Sequence, residues 1–310
     1  MNLGRLLSRR AKYLSIFVVV LLLFCLYSFK SLTYTTSKRN GFQQPIQSKN
    51  TIRKDPNSIL MLVLSNDQIS DNPKFLEKLL LDRKEYAQRH GYQLVHKKDR
   101  DIERKYGTQN TWSLVTAIRE TLYEHPEASW IWVLDPRAVI MNTGESLKEA
   151  IMNPEQLSNS FLRNFPVDPL KPHIRTRNKM DLEEIKLITT NDYNGISIRS
   201  FLLKNDDFAP FLLDSWNEPL FKMYKSEPEL AERSALSHLL EIHPTIMENV
   251  ALVSPKVLNS YTDSAVNLNY QEGDFLVLSN CENAASCERF FDTYVKQRRP
   301  YNPNKKKPYN

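Results

Sequence analysis

Residues 130–142 read Trp-Ile-Trp-Val-Leu-Asp-Pro-Arg-Ala-Val-Ile-Met-Asn. The aromatic and aliphatic start of this stretch is typical of a strand that is buried on both faces, as in a parallel sheet. Such a strand delivers Asp135 to its carboxyl end, where open α/β sheets bind their ligands. The alternative is that Asp135-Pro136 only ends a core strand, because proline cannot donate a hydrogen bond to the sheet. The stretch alone leaves both interpretations open.

Apolar runs alternate with helical patterns along the rest of the chain. Residues 59–64 predict a first strand, and Asp71 or Asn72 is expected to cap a helix that has Pro73 in its first turn and stops at Gly91. We predict further strands at 92–95, 185–190, 196–203 and 250–253, and further helices at 112–123, 208–216 and 230–242. This alternation predicts an α/β domain with a doubly wound, mostly parallel sheet. Residues 142–180 are polar and proline-rich and give no clear pattern.

The N-terminal part predicts a membrane anchor followed by a stem. Residues 14–29 carry no charge, and a basic flank precedes them at Arg5, Arg9, Arg10 and Lys12. The run is a little shorter than the ~20 residues that span an average bilayer, so tilt or a thin membrane has to make up the difference. A cleaved signal peptide is the alternative, but its small-residue cleavage pattern is missing. We therefore expect a cytoplasmic tail at 1–13, a transmembrane signal anchor at 14–29 and a polar stem at 30–56.

The luminal part is expected to hold one domain. Residues 57–298 are long enough for one sizeable α/β domain, and residues 299–310 form a basic polar tail. Cys281 and Cys287 lie close together near the end of the domain, and an oxidising lumen favours a disulfide between them. A zinc site is the weaker alternative, because the one other cysteine, Cys25, lies in the anchor and the histidines are scattered.

The charge of the chain is mildly basic, with a net charge of +6 and a pI near 9.0. Much of the excess lies in the anchor flank, the stem and the C-terminal tail. This distribution indicates a topogenic signal and solvated ends. It argues against a nucleic-acid partner, for which no base-reading motif is present.

Several stretches of the luminal part occur in a recognisable order. They read Asp-Arg-Lys-Glu-Tyr-Ala-Gln-Arg-His-Gly-Tyr at 82–92, Trp-Ile-Trp-Val-Leu-Asp at 130–135, Asn-Asp-Tyr-Asn-Gly-Ile at 191–196, Phe-Leu-Leu-Lys-Asn at 201–205, His-Pro at 243–244 and Tyr-Gln-Glu-Gly-Asp at 270–274. With these motifs and the Cys281 and Cys287 pair, the chain resembles glycosyltransferase family 34, the fungal Golgi α-1,2-galactosyltransferases and α-1,6-mannosyltransferases. The resemblance covers nearly the whole luminal domain.

The resemblance implies a GT-A fold and a type II Golgi membrane protein. It also implies a nucleotide-sugar donor, UDP-galactose or GDP-mannose, and a retaining transfer, assisted by Mn²⁺, onto a mannose-containing glycan. Other glycosyltransferase subunits are further expected partners.

The chain departs from the family pattern at several positions. The family's Asp-x-Asp reads Asp135-Pro136-Arg137, and its Trp-x-Lys has Leu114 in place of the lysine. A small residue of the family has become Arg199, its Glu-Gln-x-Ala has Arg233 in second place, and a metal-binding histidine of several relatives falls at about Leu278. A divalent ion needs several oxygen ligands, so Asp135 alone predicts weak metal binding. Alternatively, the Arg137 guanidinium replaces the charge of the ion at the diphosphate.

Polar residues that the resemblance retains are the predicted site. Asp192 lies in a polar turn and is the expected catalytic carboxylate together with Arg137, although an Asx-turn that only shapes the loop is the alternative for Asp192. Glu232 is expected to bind donor or acceptor hydroxyls, or else to be an exposed helix carboxylate. The full set expected to bind the nucleotide sugar is Ser65, Asn66, Asp135, Asn194, Gly195 and Glu232.

Two function classes remain open from the sequence. The first is a Golgi hexosyltransferase of mannan or galactomannan synthesis. The second is a catalytically impaired family member that acts as a subunit or stabiliser of a glycan-synthesising complex. The departures at Arg137 and Leu114 leave the chain's own activity uncertain.

Overall fold

The structure is a computed structural model, and it describes residues 55–298 except 57, 108–111, 169–170, 193–194, 219–227 and 263–267. The predicted cytoplasmic tail, anchor and C-terminal tail lie outside the described residues, as does nearly all of the stem. Among the helices that the structure describes, none combines the length and the apolar character needed to span a bilayer.

Twelve strands are described in this part of the chain. They are β1 Ile59–Ser65, β2 Gln93–Lys98, β3 Trp130–Leu134, β4 Ala138–Ile140, β5 Pro166–Asp168, β6 Lys171–Arg175, β7 Leu187–Asp192, β8 Gly195–Ile196, β9 Ser200–Lys204, β10 Val250–Val253, β11 Ser260–Tyr261 and β12 Leu276–Leu278. The main sheet has the order β10-β7-β9-β3-β1-β2, with β8 paired to β7. A second sheet has the order β11-β12-β4, and β5 pairs with β6.

The helices lie between these strands. They are α1 Asp67–Ser70, α2 Pro73–His90, α3 Asp99–Tyr106, α4 Ser113–Glu124, α5 Pro154–Ser160, α6 Phe208–Trp216, α7 Pro228–Ile242, α8 Pro244–Met247, α9 Pro255–Leu258 and α10 Ala284–Gln297, with a π-helical turn at Lys148–Met152. Of the two predicted caps of α2, the structure selects Asn72, whose side chain accepts a hydrogen bond from Phe75 N at 3.2 Å. Gly91 ends α2 in the left-handed conformation with φ 70°, which glycine adopts without strain.

Two hydrophobic cores cover the two faces of the main sheet. Alternate residues of β1 point to opposite faces, so Met61 packs with α2 and α10, whereas Leu62 packs with α4, α6 and α7. All five residues of β3 are buried, as expected for a central strand. The predicted α/β class and mostly parallel sheet are confirmed.

The direction of β9 corrects one detail of the predicted sheet. β9 is antiparallel to both of its neighbours, β3 and β7, while the other strands along the path run in one direction. The single strand predicted at 196–203 is therefore wrong. β8 pairs with β7 in a hairpin, and residues 197–199 connect β8 to β9. β9 then begins beside β3. The break coincides with the mostly polar sequence Ser-Ile-Arg-Ser at 197–200, which the prediction read through as one strand.

Candidate functional site

The functional residues collect at the edge where the parallel strands end. Because β3 and β7 run in the same direction, Asp135 follows the end of β3 and Asp192 is the last residue of β7 at the same edge. The antiparallel β9 begins where these strands end, so Arg199, immediately before β9, reaches the same place. The sheet order thus brings two predicted carboxylates and one arginine together.

The first centre of the site is built around Asp135. Arg137 contacts this carboxylate three times, from its backbone N at 2.7 Å and its Nε at 3.1 Å to Oδ1, and from its Nη2 at 2.9 Å to Oδ2. Arg199 donates from Nε to Oδ2 at 2.8 Å. Burial by itself would raise the pKa of Asp135, but the charges and hydrogen bonds of the two arginines hold it well below its usual range. Asp135 is therefore an ionised, buried anchor for two guanidinium groups.

Arg199 also ties the main sheet to the second sheet. Its Nη1 donates to Asn280 Oδ1 at 2.9 Å, and its Nη2 donates to the carbonyl oxygen of Ser279. Its own carbonyl accepts from Asp135 N at 2.7 Å, and Ser279 N donates to the carbonyl of Arg137 at 3.2 Å. The guanidinium is consequently held from three directions.

The second centre of the site is built around Asp192. Arg233 donates from Nη2 to Asp192 Oδ1, and the Tyr261 hydroxyl donates to Oδ2. The same Arg233 nitrogen donates to Gly195 O at 2.9 Å, which fixes the start of β8. Burial first, and then the Asp192 charge, raises the pKa of Tyr261, while the Arg199 charge lowers it. Arg199, which binds Asp135 in the first centre, therefore also acts electrostatically on Tyr261 in the second.

The predicted residues Ser65 and Asn66 lie at the end of β1 and have local partners. The Ser65 hydroxyl is 2.8 Å from both Ser70 Oγ and His96 Nε2, inside the fold. The Asn66 side chain caps α1 by accepting from Ile69 N at 3.1 Å. The role of Ser65 and Asn66 in binding the nucleotide stays a prediction.

Of the other predicted residues, Glu232 has a clear structural partner. Its side chain is buried, and Oε1 accepts from the backbone N of Leu114 at 3.1 Å and of Val115 at 3.4 Å, at the start of α4. It is therefore not the exposed helix carboxylate of the alternative interpretation. Gly195 is buried with φ 96°, a conformation that favours glycine. Asn194 lies outside the described residues.

The residues at this edge do not fit a divalent metal ion. Both oxygens of Asp135 already accept from guanidinium groups, and those of Asp192 accept from Arg233 and Tyr261. Leu278, near which the resemblance puts the metal-binding histidine of several relatives, is fully buried in β12. Within the described ranges, no three side chains of His, Cys, Asp or Glu form a group that could hold a metal.

Sequence reasoning missed several residues of this edge. Tyr261, Ser279 and Asn280 carry no local signal, because they reach the site through the second sheet. Asp99 was missed because β2 was predicted to end at residue 95, whereas it continues to Lys98. The Oδ1 of Asp99 is buried with no hydrogen-bond partner among the described residues. Burial, followed by the charges of Glu103, Asp67 and Asp135, raises the pKa of Asp99 to about 7.

The predicted pair Cys281 and Cys287 is joined by a disulfide in the structure, with Cα atoms 5.1 Å apart. Cys287 lies in the first turn of α10, and Cys281 follows β12 closely. The bridge therefore fastens the last described helix next to the loop that carries Ser279 and Asn280.

Comparison with known proteins identifies the family. Residues 54–288 match the sequence model of the galactosyl transferase GMA12/MNN10 family. The chain belongs to this family. The resemblance inferred from the motifs is thereby confirmed, and the match includes both centres of the site.

Two relatives illustrate the range of this family. An uncharacterized alpha-1,2-galactosyltransferase of Schizosaccharomyces pombe is 56% identical over 309 residues, covering 95% of this chain and 94% of the relative. The probable alpha-1,6-mannosyltransferase MNN10 of Saccharomyces cerevisiae is 30% identical over 220 residues, covering 66% of this chain and 55% of the relative.

A solved structure shares the fold. It is a glycosyltransferase involved in the glycosylation of the major capsid of PBCV-1, which matches with a TM-score of 0.51 and 12% sequence identity and covers 76% of this chain and 99% of its own. At this identity the likeness supports the glycosyltransferase-like α/β fold and no functional detail.

Proposed function

We propose that this chain is a glycosyltransferase that moves a hexose from a nucleotide sugar to a mannose-containing glycan. The observation that carries the proposal is the family match across residues 54–288, which spans the edge where Asp135, Asp192 and Arg199 meet. Ligands of open α/β sheets bind at such an edge. The relatives described above carry transferase names, which does not favour the alternative of a non-catalytic subunit.

The donor and the catalytic carboxylate are part of the same proposal. UDP-galactose is the first donor, because the relative with 56% identity is named a galactosyltransferase, and GDP-mannose is the variant. Asp192 is the carboxylate that faces the sugar's anomeric carbon in a retaining transfer. Its contacts with Arg233 and Tyr261 hold its two oxygens in a fixed orientation.

We also propose a location for the protein in the Golgi membrane. The basic flank and the uncharged residues 14–29 support a type II anchor in the Golgi membrane, with the GT-A-like domain in the lumen. Mannose-containing glycans and other glycosyltransferase subunits are the partners that fit this compartment.

A transfer assay tests the function. The full-length chain, purified in detergent, is supplied with UDP-galactose or GDP-mannose and a mannose oligosaccharide, with Mn²⁺ or with chelator. We expect a glycosylated product, which Asp192→Asn should abolish. Asp214→Asn, an exposed carboxylate on α6 paired with Arg119, is the matched control and should retain transfer. If no donor yields product under any condition, the proposed activity is wrong and a non-catalytic subunit becomes the better interpretation.

A further inference from the structure

The geometry points to a metal-free diphosphate site in which Arg137 and Arg199 together supply the positive charge that the family resemblance assigns to Mn²⁺. This inference rests on the proposed function, because it presumes a nucleotide-sugar donor. It identifies Arg137 and Arg199 as the positive charge that binds the donor's diphosphate. Asp135 is then the residue that holds the two arginines in place.

Hydrogen-bond donors surround both carboxylate oxygens of Asp135. A carboxylate that binds a metal directs its oxygen lone pairs at the ion. Here Oδ1 accepts from the backbone N and Nε of Arg137, and Oδ2 accepts from Arg137 Nη2 and Arg199 Nε. The carboxylate is thus surrounded by donors on both oxygens. A cation could reach it only by displacing two guanidinium groups.

The group formed by Asp135, Arg137 and Arg199 carries a net positive charge. Two guanidinium ions around one carboxylate leave one net positive charge, the same as a divalent ion on one carboxylate. Arg83 adds a further cation behind the centre, because its buried guanidinium donates to Ala138 O, one residue beyond Arg137. The nearby Asp82 accepts from both Arg83 and Arg298. Asp135, Arg137 and Arg199 together therefore carry one net positive charge without any ion.

The two guanidinium groups are held in place by the protein and are still partly exposed to solvent. Arg199 is held by Ser279 and Asn280, and Arg137 by a bidentate contact within its own turn. The Arg137 side chain nevertheless keeps 30% of its surface exposed, and the Arg199 side chain 16%, against 8% for Asp135. A planar guanidinium suits the paired oxygens of phosphate groups. The exposed surface of the centre is therefore predominantly arginine.

Nucleotide binding without turnover tests this inference. The affinity of the full-length chain for UDP, GDP and the monophosphates UMP and GMP is measured by calorimetry in chelator and in Mn²⁺. We expect the diphosphate of the correct base to bind in chelator within about threefold of its affinity in Mn²⁺. The monophosphate should bind more weakly, by about tenfold for the loss of one charge-assisted contact.

Variants identify the residues responsible. Arg137→Ala should weaken diphosphate binding by about tenfold or more and leave monophosphate binding within about threefold. Arg137→Lys keeps the charge but loses the planar fork, so an intermediate effect is expected. Arg119→Ala removes an exposed, aspartate-paired arginine far along α4 and should change neither affinity. Thermal melting of each variant shows whether it remains folded.

Three results would overturn the inference: diphosphate binding that requires Mn²⁺, an Arg137→Ala variant that melts normally and binds diphosphate as before, and no binding of either diphosphate under any condition. These outcomes are separable from failure of the proposed function. Metal-free diphosphate binding without transfer supports the inference and contradicts the activity. Transfer that requires Mn²⁺ supports the activity and contradicts the inference.

Discussion

Arg199 and Asp135 are joined by a 2.8 Å hydrogen bond between Nε and Oδ2, although 64 residues separate them in the sequence. The pair joins the end of β3 to the start of β9, and Arg199 also donates to Ser279 and Asn280, which follow β12 of the second sheet. One side chain thus connects three segments at the edge where the donor is proposed to bind.

Loss of this connection should destabilise the domain. In Arg199→Ala the Asp135 carboxylate keeps one of its two guanidinium partners and Asn280 loses its donor. Removing one partner of a buried ion pair costs about 3 kcal/mol, which lowers Tm by roughly 5–10 °C in a domain of this size. Thermal melting by circular dichroism measures the effect. Arg119→Ala, which breaks an exposed ion pair, should lower the stability by less than about 1 kcal/mol. Equal melting of the two variants would contradict the role given to Arg199.

Glu232 should prove to be a stabilising cap of α4. Glu232→Ala leaves two backbone N–H groups at the start of α4 without their acceptor, so we expect a loss of about 1–2 kcal/mol. Glu232→Gln retains an acceptor oxygen and should lose less. Denaturant unfolding measures both variants. If Glu232→Gln instead melted like the parent chain but lost nucleotide-sugar or acceptor binding, the predicted ligand role would be the better explanation.

Asp99 should make stability depend on pH. Its pKa of about 7 in the folded protein lies above the usual aspartate value, so the folded state holds a proton that the unfolded state has released. The contribution of the protonated Asp99 carboxyl to the free energy of unfolding is therefore highest near pH 4. It is lost as the pH rises through 7. Each pKa unit corresponds to about 1.4 kcal/mol, so the total loss reaches a few kcal/mol at most.

The variant Asp99→Asn isolates this contribution, because the amide keeps the size of the side chain and cannot ionise. Its Tm should fall less than that of the parent chain between pH 5 and pH 8. The exposed Asp214→Asn is the control and should leave the slope unchanged. Parallel pH curves for the parent chain and Asp99→Asn would show that the Asp99 carboxyl titrates normally.

The proposed membrane topology predicts protection from protease. In sealed Golgi vesicles, residues 57–298 should stay intact when protease is added outside and should be digested once detergent opens the vesicles. A luminal Golgi protein of known topology serves as the control for vesicle integrity. Digestion in sealed vesicles, or recovery of a soluble form that begins near residue 31, would reject the anchor at 14–29.

Much of the fold and part of the site could be predicted from short-range sequence patterns. The apolar run 130–134, the Asn72 and Gly91 signals around α2 and the strand at Val250–Val253 each depend on neighbours within a few residues, and the structure contains them as expected. The sequence also placed Asp135 at the carboxyl end of its strand, where open α/β sheets bind their ligands, and the structure agrees.

The partners of those carboxylates were decided by tertiary structure alone. Nothing near Asp135 in sequence indicates that β9 runs antiparallel beside β3, which is what carries Arg199 to Asp135. Tyr261 reaches Asp192 from a different sheet, and Glu232 of α7 reaches α4 across more than a hundred residues. Such contacts depend on the pairing of strands and the packing of helices that are far apart in the chain. The free energy of the complete fold, and not the local sequence, determines that pairing and packing. The sequence by itself determined which charged groups stand at the strand ends, and the tertiary structure decided which of them neutralise one another.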